Sequence, residues 1–272
     1  MSEPRLFWYE RKELHDPIAV IGFPSIGLVG SILTSYLARE LKLDVVAGMT
    51  LEDIQQYTLI TGGTPYPPIR IYAGALPKAK RKKKKATETV TEAATEEAPP
   101  MEVKAPRTRR KARDVIIITS ELTPRPEQSY DFTLFVLGVV REMGAKDIIF
   151  VDGFARVDPN ATLMAAYCNE EAKQVIVDAG IKTLDEGLVR GISGVGLFQG
   201  KIDGTNTVCI LAPANPQLPD PRAAADALET LKKLIPRLDV DPAPLMHEAE
   251  DIDARIRAQQ NQQSAVNQNI YG

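Results

Sequence analysis

The chain ends on three residues whose types suit capture by another protein: Ile270, Tyr271 and Gly272 with its free α-carboxylate. An apolar side chain, a phenol and a terminal negative charge can seat together in one pocket. That pocket would offer an apolar wall, a hydrogen-bond partner and a cation. The approach, residues 259–269, is rich in Gln and Asn and has almost nothing to bury. Such a segment cannot offset its own ordering entropy, so 259–272 reads as a flexible tail that presents the terminal triplet.

Two glycine clusters are the next candidates. Gly22, Gly27 and Gly30, with Pro24 and Ser25 between them, follow a strand-like run and open a helix-like one. A phosphate-cradling loop would lie there, using backbone N–H groups and the helix dipole. The spacing departs from G-x-G-x-x-G, Pro24 removes a donor, and no Lys-Ser/Thr pair follows. The three glycines are therefore assigned to a structural turn that packs helix on sheet. Gly191, Gly194 and Gly196 read as a second glycine-rich turn.

Conventional catalytic material is scarce. His15 and His247 are the only histidines, too few for a His-based zinc site or nucleophilic triad. Cys168 and Cys209 have no metal-like spacing and are expected to stay reduced in a cytoplasm. No catalytic residue, metal or cofactor is expected. One alternative keeps an enzyme open: a phosphorylase-like or nucleotide-binding site near Gly22–Gly30, with Glu121 as its acidic participant.

The elements that position these residues emerge from periodicity. Strand-like runs occur at 18–22, 44–49, 69–74, 115–119, 148–152 and 207–212, mostly as unbroken apolar stretches. That pattern suits a sheet covered on both faces. Helix-like stripes occupy 27–41, 128–143, 163–179 and 221–235, the last opening on Pro221. Alternation of the two predicts a three-layer α/β sandwich. One core domain over 1–76 and 113–240 is expected, interrupted at 77–112. Past Asp241, Leu245, Ala249, Ile252 and Ile256 recur at spacings of four and three, predicting a helix over 241–258. Its narrow seam suits packing on the body or on another subunit.

Charge is unevenly distributed. Between Lys78 and Arg113 there are 13 Lys/Arg against 5 Glu, a balance of +8 that leaves the rest at −11 in a chain of net −3. The 77–112 segment lacks apolar periodicity and reads as a disordered charged insertion. Nucleic-acid binding through Lys78–Arg113 is a further alternative, weakened by the lack of interleaved aromatics. No run of about 18 apolar residues predicts a membrane helix, and residues 1–15 lack a secretory h-region.

Several of these segments together resemble archaeal members of the proteasome-assembly-chaperone family. They are Gly22–Gly30 with the helix through Leu41, Pro68 to Tyr72, 115–124, Gly191 to Gly196, and Pro219 to Ala225. The resemblance covers nearly everything except 77–112. It implies a phosphorylase/hydrolase-like α/β sandwich, a homo-oligomer, and no established catalytic residues. Some archaeal relatives carry a C-terminal hydrophobic-Tyr-any motif that enters pockets between α-subunits of the proteasome core particle. Ile270, Tyr271 and Gly272 match it position by position. In such a pocket the Gly272 carboxylate would pair with a lysine of the partner. The expected function is ATP-independent docking on the core-particle α-ring, aiding ring assembly, gate opening or both.

Overall fold

A computed structural model of the protein describes residues 4–51, 58–77 and 113–255. The expected insertion, apart from Pro77, and the expected tail lie outside the described residues, as do Ile256, Ile270, Tyr271 and Gly272.

Eight strands form one sheet: β1 (Arg5–Trp8), β2 (Ile18–Gly22), β3 (Asp44–Thr50), β6 (Ile69–Ala75), β7 (Asp114–Ser120), β8 (Asp147–Ala155), β9 (Met164–Tyr167) and β10 (Asn206–Ala214). A separate hairpin pairs β4 (Leu59–Thr61) with β5 (Thr64–Tyr66). The sheet order is β1-β3-β6-β7-β2-β8-β10-β9. The four central strands β7, β2, β8 and β10 run parallel, with antiparallel neighbours outside them.

Period-two alternation divides each central strand between two cores. Val20, Ile117, Val151 and Ile210 face one side, where α1 (Val29–Glu40), α3 (Glu170–Asp178) and α5 (Pro221–Leu234) pack. Ile21, Ile118, Phe150 and Cys209 face the other, under α2 (Ser129–Glu142) and α4 (Gly191–Asp203). This double coverage is why the strands read as continuous apolar runs. The protein is a three-layer α/β sandwich. A final helix, α6, runs over 243–255.

Two sequence expectations are corrected. Residues 163–179 are not one helix: Met164–Tyr167 forms edge strand β9 against β10, and α3 begins only after Asn169. Asn169 caps α3 by accepting the Ala172 amide at 2.8 Å, a polar stop that the apolar stripe alone conceals. The glycine cluster at 191–196 is not a turn but the opening of α4. A Cβ at Gly196 would sit 2.3 Å from the Phe150 ring, and one at Gly200 would meet Thr207 Oγ1 at 2.4 Å. These glycines let α4 lie close on the sheet despite their poor helix propensity. Strands β1, β4 and β5, half exposed or more, carry no continuous apolar run that would announce them.

β6 and β7 are adjacent, with Ala75 opposite Asp114. The chain therefore leaves and re-enters the described body at neighbouring points, at the amino ends of the parallel strands. Closing a long loop there costs little more than closing a short one.

Candidate functional sites

The glycine turn after β2 is built by close backbone approach. A Cβ at Gly22 would fall 2.1 Å from the Gly30 carbonyl oxygen, and one at Gly30 would fall 2.5 Å from that of Val151. Gly27 has φ 65°, and a Cβ there would press on Ala214 and Asp220. Leu28 follows in the same left-handed region at φ 53°. Gly22, Gly27 and Gly30 are thus brought together as a packing joint between β2, α1 and the ends of β8 and β10. Asp220 secures it: its amide donates to the Gly27 carbonyl at 2.8 Å. Its carboxylate accepts from Asn215 at 2.9 Å and caps α5 at the Ala223 amide at 3.0 Å.

Beside this joint, at the carboxyl ends of β2 and β8, lies a cavity of about 500 Å³. Parallel α/β sheets commonly bind ligands at such ends. Asp152, the β8 residue that follows Val151, reaches into it. The Ser25 and Ser193 hydroxyls hydrogen-bond its carboxyl, and the Gly153 amide donates to Oδ1 at 2.8 Å. Burial pushes this carboxyl above the ordinary carboxylate range despite those donors. The same burial, with Asp152 nearby, pushes the Cys209 thiol well up, so that cysteine is an inert core residue. Apolar walls come from Phe23, Phe150, Phe154 and Leu211, with Arg190 and the start of α4 at the rim.

Sequence reasoning named Glu121 as the acidic participant near the glycines, and here the geometry differs. Glu121 is held by the Arg70 guanidinium through two donors, and Arg70 also donates to the Tyr72 hydroxyl at 3.0 Å. Asp152, Ser25 and Ser193 were not singled out. One signal was present: a carboxylate closing the apolar run at 148–152, at the carboxyl end of a parallel strand. Among the described residues, no group of three or more His, Cys, Asp or Glu could hold a metal ion. No helix there is long and apolar enough to cross a membrane.

The C-terminal seam divides. Leu245 and Ala249 are buried, Leu245 within the same core as α1 and α5. The Tyr36 hydroxyl donates to the Asp241 carbonyl, tying the approach to α1. Ile252 is half-buried and lines a cleft of about 310 Å³ with Asn215, Arg222 and Asp253. The Arg222–Asp253 pair, 3.2 Å apart, sets the end of α6 beside the start of α5. That places it at the carboxyl ends of the parallel strands, opposite the mouth of the 77–112 segment. On the other face of the molecule, Tyr130 of α2 and Phe198 and Ile202 of α4 are exposed.

A model of the PAC2 family matches residues 19–260. By sequence, an uncharacterized protein of Methanocaldococcus jannaschii is 24% identical over 245 residues, 90% of this chain and 86% of that one. By structure, Pyrococcus furiosus PbaA, described as an archaeal homolog of proteasome-assembly chaperone, gives a TM-score of 0.74 at 23% identity. That match covers 98% of this chain and 95% of PbaA. P. furiosus PbaB, described as an archaeal proteasome activator, gives 0.72 at 21% identity over 96% of this chain and 100% of PbaB. These two likenesses are matches of fold.

Proposed function

The chain belongs to the PAC2 family, and from that membership we propose that it is a non-enzymatic, ATP-independent proteasome assembly chaperone or activator. It acts as a cytoplasmic homo-oligomer that docks its C-terminal tails in α-ring pockets of the proteasome core particle. The observation that carries the reading is the terminal triplet Ile270, Tyr271, Gly272. Its apolar group, phenol and carboxylate would fill a notch, accept or donate a hydrogen bond, and pair with a lysine of the partner.

The described body supports this arrangement. α6 is fixed to the core by Leu245 and Ala249, so the tether starts from a rigid base. From 259 onward the chain spans on the order of 40 Å if fully extended. The described residues that flank 78–112 lie at the other end of the sheet, with Ala75 opposite Asp114. Docking one tail is weak because it orders several residues; several tails on one oligomer gain through effective concentration. Exposed Tyr130, Phe198 and Ile202 give the α2–α4 layer the apolar surface that a subunit contact would cover.

Co-sedimentation with core particles tests the reading. The unmodified protein is expected to co-sediment, whereas Tyr271→Ala and a chain lacking Ile270 to Gly272 are expected to remain in the supernatant. Equal recovery of all three would remove the tail from the account.

A further inference from the structure

The cavity at the carboxyl ends of β2 and β8 plays no part in tail docking, yet it is equipped as a ligand site. Its volume of about 500 Å³ lies within the range of small-molecule pockets. Among the described residues lining it, Asp152 is the single acid and Arg190 the single base. The acid sits inside between two hydroxyls, while the base is exposed at the rim. Arg190 also precedes α4, and no side chain caps that helix start. Its first amides therefore add positive potential beside the guanidinium. The remaining lining is mostly aromatic and aliphatic, and Leu188, 75% exposed, is part of it.

The geometry points to a binding site for an apolar amino acid or a short apolar peptide, with the ammonium at Asp152 and the carboxylate at Arg190. One acid and one base in an otherwise mostly apolar lining complement a molecule that carries the opposite charges beside an apolar side chain. A nucleotide fits this charge pattern poorly, since one arginine faces a polyphosphate and the interior pole is acidic. Asp152 holds its carboxyl in an environment that disfavours the charge, and an incoming ammonium relieves that cost by pairing with it. Leu188 closes over the bound side chain and loses its exposure to water. Ser25 and Ser193 hold the carboxyl's orientation.

Calorimetric titration of the full-length protein tests this independently of any core particle. The ligands are L-phenylalanine, L-leucine and the dipeptide Leu-Phe, compared with phenethylamine and 3-phenylpropionate, each lacking one charge. At least one zwitterion is expected to saturate with a Kd below about 1 mM, and both single-charge analogues to bind at least about tenfold more weakly. Asp152→Asn, checked for an unchanged circular dichroism spectrum, is expected to lose the same factor. Should that variant fail to fold, the analogue series on the unmodified protein still decides. No saturation below about 10 mM, equal binding of the analogues, or selective binding of adenosine or inorganic phosphate would overturn the assignment. A positive result leaves the tail proposal untouched, and a failed co-sedimentation leaves this one untouched.

Discussion

Gly30 and Gly138 show how the same residue type is fixed in one place and free in another. A side chain at Gly30 would strike the Val151 and Phe23 carbonyls, whereas nothing lies within 4 Å of one added at Gly138 on α2. Gly30→Ala is expected to destabilise by about 2–4 kcal/mol through backbone displacement. Gly138→Ala is expected to stabilise by about 0.5–1 kcal/mol through helix propensity; urea denaturation of the pair checks both. Asp152 gives a pH signature. Its folded-state pKa is raised by burial, so the native state holds the proton more tightly than the unfolded chain. Stability is greatest below the ordinary carboxyl range and declines as pH rises through the folded value. Asp152→Asn removes that decline, so its melting temperature relative to the unmodified protein should rise as pH increases above the ordinary carboxyl range. A difference that stays constant with pH would refute the burial argument. The glycine joint was legible because Gly22, Gly27 and Gly30 flank a strand-to-helix boundary. Glu121 was misjudged because its Arg70 partner is 51 positions away, and strand pairing brings them together where local pattern is silent.

Elements read well wherever both faces are covered and poorly wherever an edge or a glycine intervenes. β2, β6, β7 and β10 each lie within two residues of the apolar runs that announced them, and β8 runs three residues past its own, because a doubly buried strand admits little else. β9 and α3 fused into one expected helix because their residues share an apolar spacing across the Asn169 cap. α4 escaped because its glycines, needed against Phe150 and Thr207, look like turn residues. Caps and anchors also carry measurable weight. Asp220→Ala deprives α5 of its cap and the Asn215 amide of its acceptor, and should cost about 1–2 kcal/mol. Leu245→Ala should cost about 2–4 kcal/mol. Hydrogen exchange should then accelerate across 243–255 more than in the central strands, because that side chain joins α6 to the core. Uniform acceleration would mean that α6 is not a separable unit.

At the scale of the molecule, the two ends of the parallel strands carry different features. The basic segment enters and leaves at the amino ends of the parallel strands. The cavity beside Asp152 and the end of α6 occupy the carboxyl ends. Composition alone marks the charged segment, while the β6–β7 pairing and the Arg222–Asp253 contact place its flanking residues and the end of α6 at opposite ends of the sheet. The central proposal is that the terminal charge and ring at Tyr271 and Gly272 are received by a pocket on the core particle. Its most direct measurement is the affinity for core particles of the protein bearing an amide in place of the Gly272 carboxylate. Erasing that charge should weaken capture by at least about tenfold, the loss of one charge-assisted contact per tail; unchanged affinity would contradict the account.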